Sequence, residues 1–288
     1  MRIANLAGRL VLVAADGSAV DVHGASGGRF GPRPQDVFEA WEEFAGWAAC
    51  VEPDAVESAH RTALDPALLG SPAPAPRQVF AIGLNYVDHA GESGLAVPEQ
   101  PPVFTKFVTS ITGPTGDIAL PEGDVDWEVE LVVVIGARTH RVAAADAWEH
   151  VAGLAVGQDL SERRLQLTGP APQFSLGKSH PGFGPIGPVL VTPDELADRD
   201  DLELGCLING QQVQKGRTRD MVFPIPVLVE RLSAVTPLLP GDVIFTGTPA
   251  GVGLGRTPQR FLTDGDELVS YVGGIGEMRH RLVAPAGA

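Results

Sequence analysis

The sequence predicts a mostly β fold with few helices, of the α+β class, with a small N-terminal domain ahead of a larger one. Three observations predict it. The 288 residues include 35 glycines and 25 prolines, which suit short strands and turns better than a helical bundle. Beyond residue 78, short apolar runs recur with few helical patterns between them. A tract of alternating prolines, SPAPAPR at residues 71–77, holds the chain extended and reads as a linker. The expected boundaries are 1–70 for the N-terminal domain, 71–78 for the linker and 79–288 for the main domain. No period of 20–50 residues recurs, which excludes a repeat array.

The elements follow in order. RLVLVAADGSAVDV reads as two short strands joined by a turn at Asp16-Gly17. Asp36 is expected to cap a helix over DVFEAWEEFAGWAA, with Glu39 completing an acidic capping box and Val37, Phe38, Trp41 and Phe44 on one face. After the linker, VFAIGL, DWEVELVVVIG and VAGLAVGQDL read as strands, and VAAADAWEHV between the last two has helical composition. Ser161 is expected to cap a helix over SERRLQL. Then come the strands GPVLVT and LELGCLING, a helix over PVLVERLSAV, the turn LLPGD and the strand VIFTG.

The bulk numbers exclude several classes of function. A net charge of −15, from 21 basic and 36 acidic residues, disfavours nucleic acid and anionic membranes as partners. Cys50 and Cys206 belong to no metal or redox spacing and read as free, reduced thiols of a cytoplasmic protein. The opening MRIANLAGRLVLVAADG is a poor signal peptide, and no apolar run reaches the length of a membrane span. GASGG mimics a serine nucleophile elbow, but GRFGPRPQ follows it instead of a helix. GTPAGVGLG lacks the Gly-Lys-Ser/Thr of a phosphate loop, and Arg256 stands where a dinucleotide fingerprint needs glycine.

The strand DWEVELVVVIG holds the strongest chemical signal. Strand side chains alternate faces, so Glu128 and Glu130 point the same way, while LVVVI is apolar on both faces, as in a sheet covered on both sides. Taken alone, Glu-x-Glu fits a solvated edge as well as a site. A third acid, Asp159, ends the apolar strand VAGLAVGQDL. Three carboxylates, with no lysine or arginine on their own strands, suit a hard divalent ion such as Mg²⁺, and the lack of histidine or cysteine ligands argues against zinc. Such a centre requires the three acids to converge; splayed acids, or one locked to an arginine instead, would remove it.

The ordered series GLNYVDHAGES, PPVFTKF, DWEVELVVVIG, VGQDLSERRLQ, GKSHPGFGPIGP, LINGQQVQ and LLPGDVIFTGTPAGVG closely resembles the fumarylacetoacetate hydrolase family, from about Val79 to Leu282. It is most similar to the branch of acylpyruvases and 2,4-diketo-3-deoxy sugar acid hydrolases. The resemblance implies a twisted β-roll with the site at its mouth, usually assembled as a homodimer. It implies Mg²⁺ or Mn²⁺ held by Glu128, Glu130 and Asp159, and a small 2-oxo acid substrate. The implied reaction is hydrolysis of a carbon–carbon bond in a β-diketo acid, the departing enolate being stabilised by the cation. His89 and Glu92 match the pair that activates water from a short lid helix, three positions apart. Lys178 matches a lysine contacting substrate oxygens, Arg163 and Gln166 match groups that stabilise the intermediate, and Thr248 matches a residue whose hydroxyl and backbone face the substrate carboxylate.

Two departures bear on specificity. Gly182 stands where many relatives carry threonine, and Phe174 stands where a tryptophan is frequent. Two other functions fit the same scaffold: a decarboxylase or keto–enol isomerase using the same metal without attacking water, and a binding protein that lost activity.

Overall fold

The computed structural model describes residues 1–51, 56–92 and 96–284. The fold is mostly β. In the largest sheet the spatial order is Arg61–Ala63, Ser18–Asp21, Arg9–Val13, Arg2–Leu6, Gly184–Val191, Val151–Gln158, Val129–Ile135, Val243–Phe245, Val79–Ile82 and Val103–Thr105. A five-stranded sheet packs beside it, ordered Gln211–Arg217, Glu203–Ile208, Glu267–Val272, Gly276–Val283 and Thr115–Ala119.

The strand Val129–Ile135 is buried along its whole length, and the core explains its composition. Val129, Leu131, Val133 and Ile135 face a cluster that includes Leu204, Cys206 and Leu268 of the five-stranded sheet. Val132 and Val134 face the opposite way, into a cluster with Phe38 and Phe44 of the N-terminal segment. A strand covered on both faces can be apolar at every position, as LVVVI is.

The hairpin expected at Asp16-Gly17 forms, joining Arg9–Val13 to Ser18–Asp21. The segment ahead of the proline tract shares the main sheet, because Arg2 and Ile3 pair with Val191 and Leu190. The large sheet therefore runs unbroken across the boundary drawn from composition.

Several helices differ from expectation at their ends. The helix expected from Asp36 begins as a 3₁₀ segment, Pro34–Ala40, and becomes α-helical at Trp41–Ala48. Proline at the first position suits that start, where no N–H is needed. Asp36 pairs with Arg33 at 2.8 Å instead of capping, and Glu39 pairs with Arg77. Val37, Phe38 and Phe44 are buried as expected. The helical stretch around Ala147 is 3₁₀, Ala144–His150. Ser161 lies not in a cap but in a two-residue strand, Ser161–Glu162, paired with Val125–Asp126. Glu162 is the cap, accepting from Arg164 N and Leu165 N at 3.0 and 2.7 Å. Its longer side chain reaches both free N–H groups of the short helix Arg163–Gln166. The helix Ile225–Val235 opens after Pro224 and buries Ile225, Leu228, Val229 and Leu232.

Candidate active site

Backbone pairing brings the three acids together. Val151–Gln158 runs antiparallel to Val129–Ile135, with Val129 opposite Gln158 and Glu130 opposite Gly157. The residue after Gln158 therefore emerges beside Glu128, and Asp159 N donates to Glu128 O at 2.9 Å. Glu128, Glu130 and Asp159 are all buried, and each offers an oxygen within 4.8 Å of the others.

Three cations surround them. Lys178 Nζ donates to Glu128 Oε2 and Asp159 Oδ2, both at 2.7 Å. Lys106 Nζ, fully buried, donates to Asp159 Oδ1 at 2.6 Å and also to the backbone oxygen of Lys178. Arg163 Nη2 reaches Glu128 Oε1 at 2.8 Å. Arg163 is shared between Glu128 and Asp126, meeting Asp126 Oδ2 through Nε at 2.9 Å and Nη2 at 2.7 Å, while Glu128 keeps an oxygen within reach of both other acids.

Glu130 differs from both. Its hydrogen bond comes from Gly247 N at 2.7 Å, and it makes no ion pair with a described lysine or arginine. Gly247 can turn its N–H inward because it adopts φ +101°, open to glycine, and a Cβ there would lie 2.6 Å from Asn85 Cβ. Burial, with Asp159 and Glu128 close by, pushes the Glu130 carboxyl well above its ordinary range. Burial opposes ionisation of Glu128 too, but Lys178 and Arg163 outweigh it and hold that carboxyl down to about 2. A buried carboxylate without a cation requires a proton or a metal. With three converging oxygen donors, the site fits a hard divalent ion.

The short helix Val87–Glu92 carries both His89 and Glu92. Ser93, the last residue of NYVDHAGES, lies outside the described residues. His89 is buried with Nδ1 3.6 Å from Glu92 Oε2, beyond a hydrogen bond, and this nitrogen has no closer partner among the described residues. Glu92 Oε2 accepts from Gly251 N at 3.0 Å. Burial raises the Glu92 carboxyl, but contacts with His89 and Gly251 N–H outweigh it, so it is held below its ordinary value.

A cavity of about 390 Å³ joins these groups; His89, Glu92, Glu128, Glu130, Arg163, Gln166, Lys178 and Thr248 all line it. Eight of the nine expected site residues therefore face one space, and the ninth, Asp159, lies beneath it. Arg163 Nη1 donates to Gln166 Oε1 at 2.9 Å. The Thr248 hydroxyl does not face the cavity as a free group: it donates to Val129 O at 2.9 Å and accepts from Gln214 Nε2 at 2.8 Å.

Two residues without an assigned role in the sequence belong to this network. Lys106, in PPVFTKF, was indistinguishable from a solvated lysine; only the fold carries it to Asp159. Asp126 opens DWEVE, two positions before Glu128, yet it turns elsewhere because the regular strand begins only at Val129. Its Oδ1 accepts from Trp127 N and Gly253 N at 2.8 and 2.7 Å, and its Oδ2 from Leu254 N at 2.9 Å. Asp126 therefore fixes both Arg163 and the glycine loop that walls the cavity. A Cβ on Gly253 would lie 1.8 Å from Arg260 O, so only glycine fits there.

Comparison with known proteins gives a consistent picture. Residues 78–283 match the model of the fumarylacetoacetate (FAA) hydrolase C-terminal family. The human mitochondrial oxaloacetate tautomerase FAHD2A is 43% identical over 215 residues, covering 74% of this chain and 68% of its own. A crystal structure from Mycobacterium smegmatis, carrying a provisional HpcE name, superposes with a TM-score of 0.93 at 58% identity over 99% of both chains. Maleylpyruvate hydrolase of Sphingobium sp. SYK-6, solved with manganese(II) and pyruvate, gives a TM-score of 0.77 at 28% identity over 99% of both chains.

Proposed function

Since the chain belongs to the fumarylacetoacetate hydrolase family, we propose that it is a divalent-metal-dependent hydrolase cleaving a carbon–carbon bond in an acylpyruvate-type β-diketo acid. One observation carries this reading: three buried carboxylates converge at one side of a cavity that a histidine–glutamate pair also lines. Glu128, Glu130 and Asp159 would hold Mg²⁺ or Mn²⁺, which when bound supplies a Lewis acid for the 2-oxo acid end and for the charge released on cleavage. The manganese and pyruvate in the Sphingobium relative support the choice of ion and of leaving fragment.

The chain's own groups supply the rest. With Nδ1 of His89 turned toward Glu92, Nε2 is the nitrogen left to take a proton from water. The hydroxide oxygen bonds to the remote acyl carbonyl carbon. The bond from that carbon to C3 breaks, and its electron pair passes to C3, which takes a proton. The products are a carboxylic acid and a pyruvate-type 2-oxo acid. Lys178 and Arg163, buried beside Glu128, place positive charge where the substrate oxygens collect. Incubating metal-loaded protein with acylpyruvates should release pyruvate; intact substrate with both Mg²⁺ and Mn²⁺ would refute hydrolysis.

The name of the human relative favours a second reading, keto–enol tautomerisation or isomerisation at the same metal. The discriminating variant is His89→Ala: tautomerisation needs no attacking water, so unchanged turnover of the physiological substrate would support it.

We further propose a homodimer in the cytoplasm. Val103, Phe107, Val108 and Leu176 are exposed apolar residues. Both cysteines are free, and no helix among the described residues is long and apolar enough to cross a membrane. Light scattering on purified protein tests the dimer.

A further inference from the structure

We propose that the cavity selects acylpyruvates with an apolar acyl tail, aliphatic or aromatic, over substrates with a second carboxylate or a polyhydroxylated tail. This deepens the hydrolase reading above and rests on it.

The cavity is lined by two kinds of group. Beside the polar and charged residues, Ile82, Leu84, Phe104, Leu167, Phe174 and Leu254 supply apolar lining. Phe104 and Phe174 meet edge to face, with ring centroids 5.6 Å apart and planes at 67°. Lys178 Nζ lies 5.0 Å from the Phe104 ring centroid, so this aromatic pair stands directly beside a cation of the acid cluster. A substrate whose 2-oxo acid end sits near the carboxylates and Lys178 must lay its far end along that wall.

The polar groups hold little capacity for a second polar end. Among the described residues, Arg163 and Lys178 are the lysine and arginine side chains lining the cavity, and each is already shared between two carboxylates. The 2-oxo acid end would draw on both. Arg256, in the adjoining loop, donates Nη2 to Val213 O and Gly251 O at 2.7 and 3.1 Å and lies over Trp127, 5.6 Å from its ring centroid. A distal carboxylate would therefore lose its water without gaining a partner.

A chain of hydroxyls fares no better. Thr248 gives its hydrogen to Val129 O and Gln166 Oε1 is taken by Arg163, which leaves the Gln166 amide N–H₂ as the donor of this pair open to a tail. An apolar tail loses nothing against Phe104, Phe174 and Leu254 and gains from leaving water. The volume, about 390 Å³, leaves room for several carbons beyond the 2-oxo acid.

Three six-carbon 2-oxo acids that lack the 4-keto group, and so cannot be cleaved by this chemistry, isolate the tail: 2-oxohexanoate, 2-oxoadipate and 2-keto-3-deoxygluconate. Titrated calorimetrically into the full chain with saturating Mg²⁺, 2-oxohexanoate should bind at least about tenfold tighter than either of the others. Equal or tighter binding of 2-oxoadipate or the sugar acid, or binding of none, overturns the proposal. Leu167 lines the cavity yet is 47% exposed, so Leu167→Arg can enter without repacking the core. It should narrow the gap between 2-oxohexanoate and 2-oxoadipate; an unchanged ratio would show that the tail does not lie along this wall. Cleavage separates the two levels of inference. If 2-oxohexanoate binds best but the matching apolar acylpyruvate stays intact, the hydrolase reading fails and the selectivity stands. If a diketo-deoxy sugar acid releases pyruvate fastest, the hydrolase reading stands and the selectivity fails.

Discussion

Two stretches of one strand face solve opposite problems. At the mouth, Glu128 and Glu130 put two carboxylates into a space they share with Asp159; a few residues on, Val132 and Val134 point the same way into a dry cluster with Phe38 and Phe44. The face is the same and the spacing is the same. What changes is what lies opposite: a ring of lysine, arginine and glycine N–H groups at one end, and the aromatic helix of the N-terminal segment at the other. Even the two glutamates differ. Glu128 is held ionised by Lys178 and Arg163, whereas Glu130 is left with one backbone N–H and a carboxyl that resists ionisation. One carboxyl of the cluster therefore needs either a proton or a bound cation.

That contrast can be broken most severely at Glu130. Glu130→Gln keeps the hydrogen bond from Gly247 and removes the ligand charge. Metal-dependent turnover should fall by about 10³-fold or more, the scale of losing several kcal/mol of Lewis-acid stabilisation. Stability of the metal-free protein should hold or rise, because a strained buried acid has gone. Thermal melting with and without Mg²⁺ checks both, and a variant that still shows the wild-type metal shift would remove Glu130 from the ligand set. The next largest effect is at His89. His89→Ala should lower hydrolytic kcat by about 10²–10³-fold, as for loss of a general base, while the Mg²⁺-induced melting shift stays intact. Loss of that shift would mean that His89 supports the metal site instead of activating water.

The mouth was more legible than its surroundings. Alternation put Glu128 and Glu130 on one face, and the end of an apolar strand supplied Asp159; both signals are local. Lys178 and Arg163 were reached only through the family resemblance and Lys106 not at all, because their pairing is a product of tertiary structure. Lys106 lies 53 residues before Asp159 and Lys178 lies 50 after Glu128, and no spacing rule links such positions. Asp126 shares the parity of the two glutamates, and strict alternation would have sent it into the same cluster. The break before Val129 turned it toward Arg163 and the glycine loop instead. Helix ends failed for a related reason. Ser161 is a good cap in isolation, but Val125–Asp126 claims its backbone for a two-residue ladder, and Glu162 takes over the role.

The far end of the face offers a quieter test. Val134→Ala removes two buried methyl groups and should cost about 2 kcal/mol of stability. Denaturant melts should show it, with Mg²⁺ affinity unchanged. A change in metal affinity would mean that the two stretches are mechanically coupled through the strand and do not divide their tasks.

The smallest effect per step is also the one that separates the two glutamates. Glu128, depressed from 4.5 to about 2, stabilises the fold above 4.5 and ceases to do so as pH falls from 4.5 to about 2. Glu130 has the opposite sign. Its carboxyl is raised well above 4.5, so in that window the folded chain keeps a proton that the unfolded chain releases. The metal-free fold therefore loses stability as pH climbs from 4.5 toward the raised value. A bound cation must expel that proton, so metal affinity should rise with pH by up to about tenfold per unit, or about 1.4 kcal/mol. Calorimetric titration of Mg²⁺ between about pH 5 and 8, in buffers of different ionisation enthalpy, reads both the affinity and the proton released. A flat affinity with no proton release would show Glu130 already ionised in the metal-free chain, and the distinction between the two glutamates would then vanish.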